Sequence, residues 1–235
     1  MSIFTVEGNI GSGKTTLLAE LQNFKFSKPH VVVFEQVKEW GDLKDENGND
    51  ILSLFYKDKK KYSYIFQSYV LFSRLTHMIN TIKQNPDSII ITERCHLTDL
   101  YVFARSLFEL GDINSMEWEV YNMWHKQLRE LFNIKIKGTI YINTAPEVCY
   151  QRIKKRSRNG EEAIPLDYLK LLHNKHNDWL IDRPKQNKEV EWFSLQKDSM
   201  NSILNLDGNI DIYDYEERAK QKKMIEKFVN YEIKD

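Results

Sequence analysis

Chemistry in this chain begins with Gly8, Asn9, Ile10, Gly11, Ser12, Gly13, Lys14, Thr15 and Thr16, which read GNIGSGKTT and satisfy the pattern GxxxxGK[ST]. A loop that wraps a polyphosphate aims backbone N–H groups inward, and glycine permits the positive φ angles such a turn needs. Asn9, Ile10 and Ser12 are expected to offer amides rather than side chains. Lys14 is placed to reach the β- and γ-phosphates, Thr15 to offer its hydroxyl to Mg²⁺, and the following helix to present its positive end to the anion. The competing explanation is a glycine loop that only turns the chain; the apolar strand before it and the helical pattern after it argue against that. A nucleoside triphosphate such as ATP follows from the loop, but a kinase, a motor, a switch and a binding module all carry one.

Other reactive side chains stand where apolar runs end. Residues 31–34 form a short strand closed by Glu35, with Trp40 five residues on. Taken alone, Glu35 is as readily a solvated strand end or a helix cap as a catalytic acid. Residues 88–92 form a strand closed by Glu93 and Arg94, the Walker B arrangement, in which an acid holds the P-loop Mg²⁺ directly or through water. Gln67 and Arg74 lie two turns apart on a helix predicted over 60–84 and project the same way. Glutamine both donates and accepts in one plane, as reading a nucleobase edge requires, whereas arginine only donates. The pattern alone places both at the solvent margin. Asp99 and Phe103 lie one turn apart on a helix expected over 97–110. Arg152, Arg156 and Arg158 lead into a polar loop, either as cations suited to an exposed helix C-terminus or as a lid over a triphosphate. His173 and His176 have no carboxylate or cysteine set near them in sequence and read as surface or packing histidines.

These groups need a scaffold that brings strand ends together. Strands at 3–6, 31–34, 88–92, 138–143 and 202–206 alternate with helices at 51–56, 60–84, 97–110, 115–132, after Pro146, at 164–181 and at 215–231. The alternation predicts an α/β fold, a five-stranded parallel sheet with helices on both faces, in one domain over 1–235. Along the 60–84 helix, Tyr62, Ile65, Phe66, Tyr69, Phe72, Ile79 and Ile82 mark its apolar side. Lysine plus arginine equals aspartate plus glutamate at 34 each, so no global basic field recruits nucleic acid, and a small polar substrate fits better. Cys95 and Cys149 are far apart and without CxxC spacing, which argues against a disulfide framework or a zinc site and suggests a reducing compartment. No apolar run approaches the ~18 residues of a membrane span, and the first strand begins close to Met1, without room for a targeting peptide. A soluble, intracellular, cytoplasmic protein is expected.

GNIGSGKTT, FEQVKEW, FQSYVLFSR, ERC and RSRNGEEAIPLDYLKLLHNKHNDWL, in this order and spacing, resemble the deoxyribonucleoside kinases nearly end to end. That family contains the deoxycytidine, deoxyguanosine and mitochondrial thymidine kinases and the insect multisubstrate enzyme. The resemblance implies a P-loop kinase fold with a basic lid at about 152–164, ATP as donor with Mg²⁺, a deoxynucleoside acceptor and a homodimer. It makes Glu35 the base that takes the 5′-hydroxyl proton, Arg94 the arginine that steadies this base and the incoming phosphoryl group, and Glu93 the magnesium-associated acid. Gln67 matches the glutamine on the base edge, Phe103 the ring that stacks on the base, and Phe66 and Trp40 pocket walls. Tyr56 and Glu161 match the pair on the sugar 3′-hydroxyl, and Arg152, Arg156 and Arg158 the lid arginines. Arg74 and Asp99 fall where the deoxycytidine and deoxyguanosine kinases carry Arg and Asp, which implies a preference for deoxycytidine or purine deoxynucleosides over thymidine.

Three positions depart from the family pattern. Gln36 replaces the usual proline and is expected to loosen the turn that holds Glu35; Cys95 replaces serine; Gly160 replaces a second acid and is expected to make the lid more mobile. Two other functions stay open. A thymidylate-type nucleoside monophosphate kinase would need further cations for its acceptor's phosphate, which Glu35 would repel. A P-loop switch without a small acceptor leaves Gln67, Phe103 and Glu161 without a reason.

Overall fold

The computed structural model describes residues 2–156, 164–182, 200–211 and 213–233. Strands β1 (Ser2–Gly8), β2 (His30–Val33), β3 (Ile89–Glu93), β4 (Ile136–Asn143) and β5 (Met200–Asp207) form one sheet in the order β2-β3-β1-β4-β5. Every pairing is parallel, so the α/β fold expected from the alternation is the one adopted. The helices are α1 (Lys14–Leu21), α2 (Val37–Trp40), α3 (Ile51–Lys57), α4 (Lys59–Gln84), α5 (His96–Thr98), α6 (Arg105–Glu109), α7 (Ser115–Phe132), α8 (Pro146–Arg156), α9 (Leu166–Leu180) and α10 (Tyr215–Glu232). A π-helical stretch, Asp99–Ala104, joins α5 to α6 and makes them one continuous rod.

Side chains on successive strand residues point to opposite faces, and the two faces are covered by different helices. Phe4, Val6, Ile89, Ile91, Ile140, Ile142 and Leu206 pack against Leu18 and Leu21 of α1 and Ile225 and Val229 of α10. Ile3, Ile90, Val33 and Tyr141 face the other way, into a larger core with α4, α7 and α9. The register shifts between Ile3, which pairs with Ile136, and Phe4, which pairs with Gly138. Lys137 is thus an extra residue in β4, and the bulge turns Ile136 into the larger core while Ile140 and Ile142 serve the smaller one.

Local signals set the helix starts. Asp50 accepts from the Ser53 amide at 2.9 Å to cap α3, and Asp58 accepts from the Lys61 amide at 3.1 Å to cap α4. Asn114 and Glu117 form a reciprocal capping box at the start of α7. The apolar side expected for α4 is only partly right. Phe66, Val70, Leu71, Leu75 and Met78 are buried, whereas Ile65 and Phe72 are exposed, because the spacing from 65 to 72 marks a second apolar stripe rather than the core-facing one. No helix among the described residues is long and apolar enough to cross a membrane.

Candidate active site

Three strand ends meet at one edge of the sheet: β1 runs into the glycine loop, β2 into Glu35 and β3 into Glu93 and Arg94. The crevice outside the carboxyl ends of parallel strands is where such sheets place ligands. Gly11 at φ +77° and Gly13 at φ +101° carry the loop into α1, and a Cβ on Gly11 would stand 2.7 Å from the Cys149 carbonyl oxygen. Glycine is required there by both conformation and space. Asn9 Nδ2 donates to the Leu169 carbonyl at 2.8 Å and so ties the loop to α9. The Ile10 amide donates to Asn9 Oδ1 at 2.8 Å and the Ser12 amide to the Asn9 carbonyl at 3.3 Å. These two amides, expected to face a phosphate, are satisfied within the loop here.

Lys14 is buried and donates to the Asn9 carbonyl at 2.8 Å. Burial, then the Arg94 charge, lowers its pKa to about 8, with Glu93, Glu35 and Glu7 pulling the other way. Thr15 Oγ1 lies 3.0 and 3.3 Å from the two carboxylate oxygens of Glu93. A hydroxyl and a carboxylate are hard oxygen donors that fit Mg²⁺, an ion that keeps most of its shell for phosphate and water. No group of three His, Cys, Asp or Glu side chains placed to hold a metal occurs among the described residues.

Arg94 has a left-handed backbone, φ +62°, rare for a residue with a side chain. Several contacts hold it in that strained state. Its amide donates to the Val6 carbonyl at 3.1 Å and Nη1 to the Gly8 carbonyl at 3.0 Å, while Nε lies 3.3 Å from Glu35 Oε1. Its guanidinium carbon sits 4.7 Å from the centroid of the Phe103 ring. Arg74, from the middle of α4, reaches the same carboxylate: Nη2 lies 2.8 Å from Glu35 Oε1, and Nε and Nη2 lie 2.8 and 3.2 Å from the Asp99 oxygens. Burial alone would raise the Glu35 carboxyl, but Arg94, then Arg74 and Lys14, more than offset it and hold the pKa down to about 2. Arg74 stays charged, pulled up against burial by Asp99 and Glu35.

The cleft that these groups line has a volume of about 1080 Å³ and runs from the glycine loop past Glu35 to Gln67, Phe103 and Asp99. Trp40 packs edge-on against Phe66 at 5.6 Å between ring centroids, and Phe55 stacks on Phe66 at 4.6 Å. Tyr56 lines the same wall. Gln67 is buried, and its Oε1 has no hydrogen-bond partner among the described residues. A buried acceptor without a partner in a cleft is a group waiting for a donor.

Nearly all the expected site residues that are described converge on this cleft, including Gln67 and Arg74, which the sequence pattern alone put at the solvent margin. Arg152 does so while held by backbone: Nη1 donates to the Gly208 carbonyl at 2.9 Å and Nη2 to the Ile210 carbonyl at 3.1 Å. Arg156 also lines the cleft. Arg158, Gly160 and Glu161, with most of the lid expected at 152–164, lie outside the described residues. Within the turn after β2, the Gln36 side chain donates to the Phe34 carbonyl at 2.6 Å. At the start of α5 the Cys95 amide donates to Thr98 Oγ1 at 3.1 Å, with Cys95 Sγ 3.7 Å from the same hydroxyl. His176 is fully buried and stacks on Tyr141, so the packing reading holds for it.

Sequence reasoning passed over Glu7. Its carboxylate is fully buried and accepts from Thr5 Oγ1 at 2.5 Å and from Thr98 Oγ1 at 2.8 Å. Burial raises its pKa, with Arg94 and the two threonines working against that. The signal was present as an acid at an inward position of a largely apolar strand, one residue before the glycine loop. Tyr168, Asp207, Arg218 and Lys222 also line the cleft without having been singled out.

The profile of the deoxynucleoside kinase family matches residues 4–231, and the chain belongs to that family. A fowlpox virus protein named as a probable deoxycytidine kinase is 36% identical over 194 residues, 83% of this chain and 78% of its own. Human deoxycytidine kinase is 32% identical over 236 residues, 93% of this chain and 88% of its own. The mitochondrial deoxyguanosine kinase of Xenopus laevis is 32% identical over 223 residues, 88% of this chain and 82% of its own. The chain is thus a kinase with a P-loop fold.

Proposed function

We propose that this kinase transfers the γ-phosphoryl group of ATP to the 5′-hydroxyl of deoxynucleosides, with deoxycytidine or purine deoxynucleosides preferred over thymidine, as one domain spanning 1–235 with its P-loop at 8–15. One observation carries the reading. A half-buried acid at a strand end, Glu35, lies within one cleft between a phosphate loop and a side-chain set suited to a planar, amino-bearing base.

The bond from the 5′-oxygen to the γ-phosphorus forms as the bond from that phosphorus to the bridging oxygen breaks; the hydroxyl proton passes to Glu35, and ADP leaves. Lys14 and Arg94 stabilise the charge that spreads over the transferring group, each such donor being worth about 3 kcal/mol of barrier. Thr15 and Glu93 would hold Mg²⁺, which supplies neutralisation of the phosphate charge. Gln67 and Asp99 receive donors on the base, Phe103 stacks on it, and Trp40, Phe66 and Tyr56 close the pocket. Tyr56 and Glu161 take the sugar 3′-hydroxyl, and Arg152, Arg156 and Arg158 attend the ATP phosphates.

The protein is further read as a homodimer. Ile65 and Phe72 on α4 and Met123, Trp124 and Leu131 on α7 are exposed, and the two helices meet through Phe72 and Trp124, 6.1 Å apart between ring centroids. A small-molecule acceptor, no nucleic acid or membrane, and a reducing cytoplasm that keeps the buried thiols of Cys95 and Cys149 free complete the reading. Steady-state assays with Mg-ATP and the four deoxynucleosides beside their monophosphates test it. Turnover of nucleosides, with deoxycytidine or a purine ahead of thymidine, is expected; turnover of monophosphates alone would overturn it.

A further inference from the structure

The group expected to take the proton and the group expected to read the base share one arginine. Arg74 gives Nε and Nη2 to Asp99, Nη1 to the Glu93 carbonyl at 3.1 Å, and Nη2 again to Glu35 Oε1 at 2.8 Å. A guanidinium has five N–H donors in a rigid plane. Four are engaged here, and Arg74 is only 8% exposed. The fork therefore cannot turn toward a new acceptor, or follow a displaced Asp99, without changing its bond to Glu35. Glu35 Oε1 accepts this bond from Arg74 and lies 3.3 Å from Arg94 Nε, so the oxygen is held between two cations.

We infer that Arg74 is a latch between base recognition and phosphoryl transfer: a nucleobase that donates to Asp99 and engages the Arg74 fork draws Nη2 away from Glu35 Oε1, and so frees that oxygen to accept the 5′-hydroxyl proton. The bonds made and broken are those of the transfer already described, with the proton ending on Glu35. Arg74 is a positioning residue here, since it acts on the reacting atoms only through Glu35. The latch rests on the proposed kinase reading and deepens it, because it makes the base raise kcat as well as affinity. A fixed clamp, which merely orients Glu35, would require the opposite response to loss of Arg74.

The test divides the substrate in two. The sugar without its base, 1,2-dideoxyribose, is offered to the full-length protein with Mg-ATP, with and without free cytosine or adenine at millimolar concentration, and deoxycytidine and deoxyadenosine are run beside it. With the latch, free base raises kcat for the sugar by about tenfold or more, the worth of one charge-assisted hydrogen bond, and changes the sugar KM less. In Arg74→Met, the sugar alone should turn over faster by a similar factor, and free base should no longer stimulate. Because that variant leaves Asp99 buried without its cation, Arg74→Met with Asp99→Asn is measured alongside, and the wild-type arm needs no variant at all. The latch is overturned when free base leaves the wild-type kcat for the sugar unchanged, or when folded Arg74 variants lose kcat on the sugar. Failure of the wild type to phosphorylate either whole deoxynucleoside would overturn the kinase reading, and the latch with it.

Discussion

The two faces of the sheet are built on opposite rules. Under α1 and α10 the packing is a run of Phe, Val, Leu and Ile, from Phe4 to Val229, of the kind that secures a parallel sheet. Under α4, α7 and α9 the core is larger and also contains buried polar groups: Glu7, Gln67, Arg74, His96, Asp99, His125 and His176. Burying such groups costs stability unless each is paired, and even paired charges recover little more than their desolvation. The first face therefore anchors the strands, and the second spends part of that stability on aiming charge at one edge.

If this division is right, the two faces should fail differently. The largest effect is expected from the site. Lys14→Ala should lower kcat/KM for ATP on the order of a thousandfold. Its melting temperature should stay unchanged or rise, because a buried cation has been removed; a fold lost along with activity would break the comparison. On the apolar face, Ile225→Ala should cost about 2–5 kcal/mol and leave kcat per folded molecule intact, as denaturant titration beside active-site titration would show. Reduced kcat in the folded variant would mean that the anchoring face is not merely an anchor.

A smaller effect separates the faces by pH. Burial holds His125 neutral, lowering its pKa from 6.5 to about 4 in the folded chain. Between those values the unfolded chain binds a proton that the folded chain refuses, so stability is full above about pH 6.5 and falls as pH drops toward 4. The loss from this group approaches about 1.4 kcal/mol per pH unit. His125→Gln should flatten the pH slope of the unfolding free energy by nearly one proton, and an unchanged slope would remove His125 from the polar-face account. Least of all, Lys220→Ala on the exposed side of α10, where Lys220 pairs with Glu216 and Glu217, should change neither melting temperature nor kcat.

The same contrast explains what could be read from the sequence. The anchoring face was legible because short apolar runs and glycine-loop spacing are local signals, and they gave the strands and their parallel sheet. Glu35, Glu93 and Arg94 were legible as strand-end residues, and the family resemblance supplied their roles. What local pattern could not show was burial of polar groups. Gln67 and Arg74 look like solvent-margin residues on a helix, and only the packing of α4 against α3, α5 and the π-helical stretch turns them inward. Glu7 was hidden in the same way, as was the ion pair of Arg74 with Glu35, which joins residues 39 apart in sequence. Ile65 and Phe72 carry the reverse error, since helical spacing marks an apolar stripe without saying whether core or a partner covers it.

The central claim is that Glu35 takes the proton of the acceptor hydroxyl, and single-turnover phosphorylation of a deoxynucleoside by Glu35→Gln tests it most directly. Gln has the same shape and cannot accept that proton. The expected result is a fall in the rate of the chemical step of about a hundredfold to ten-thousandfold, with ATP affinity little changed. A rate within about threefold of the wild type, well short of what general-base catalysis contributes, would contradict the account.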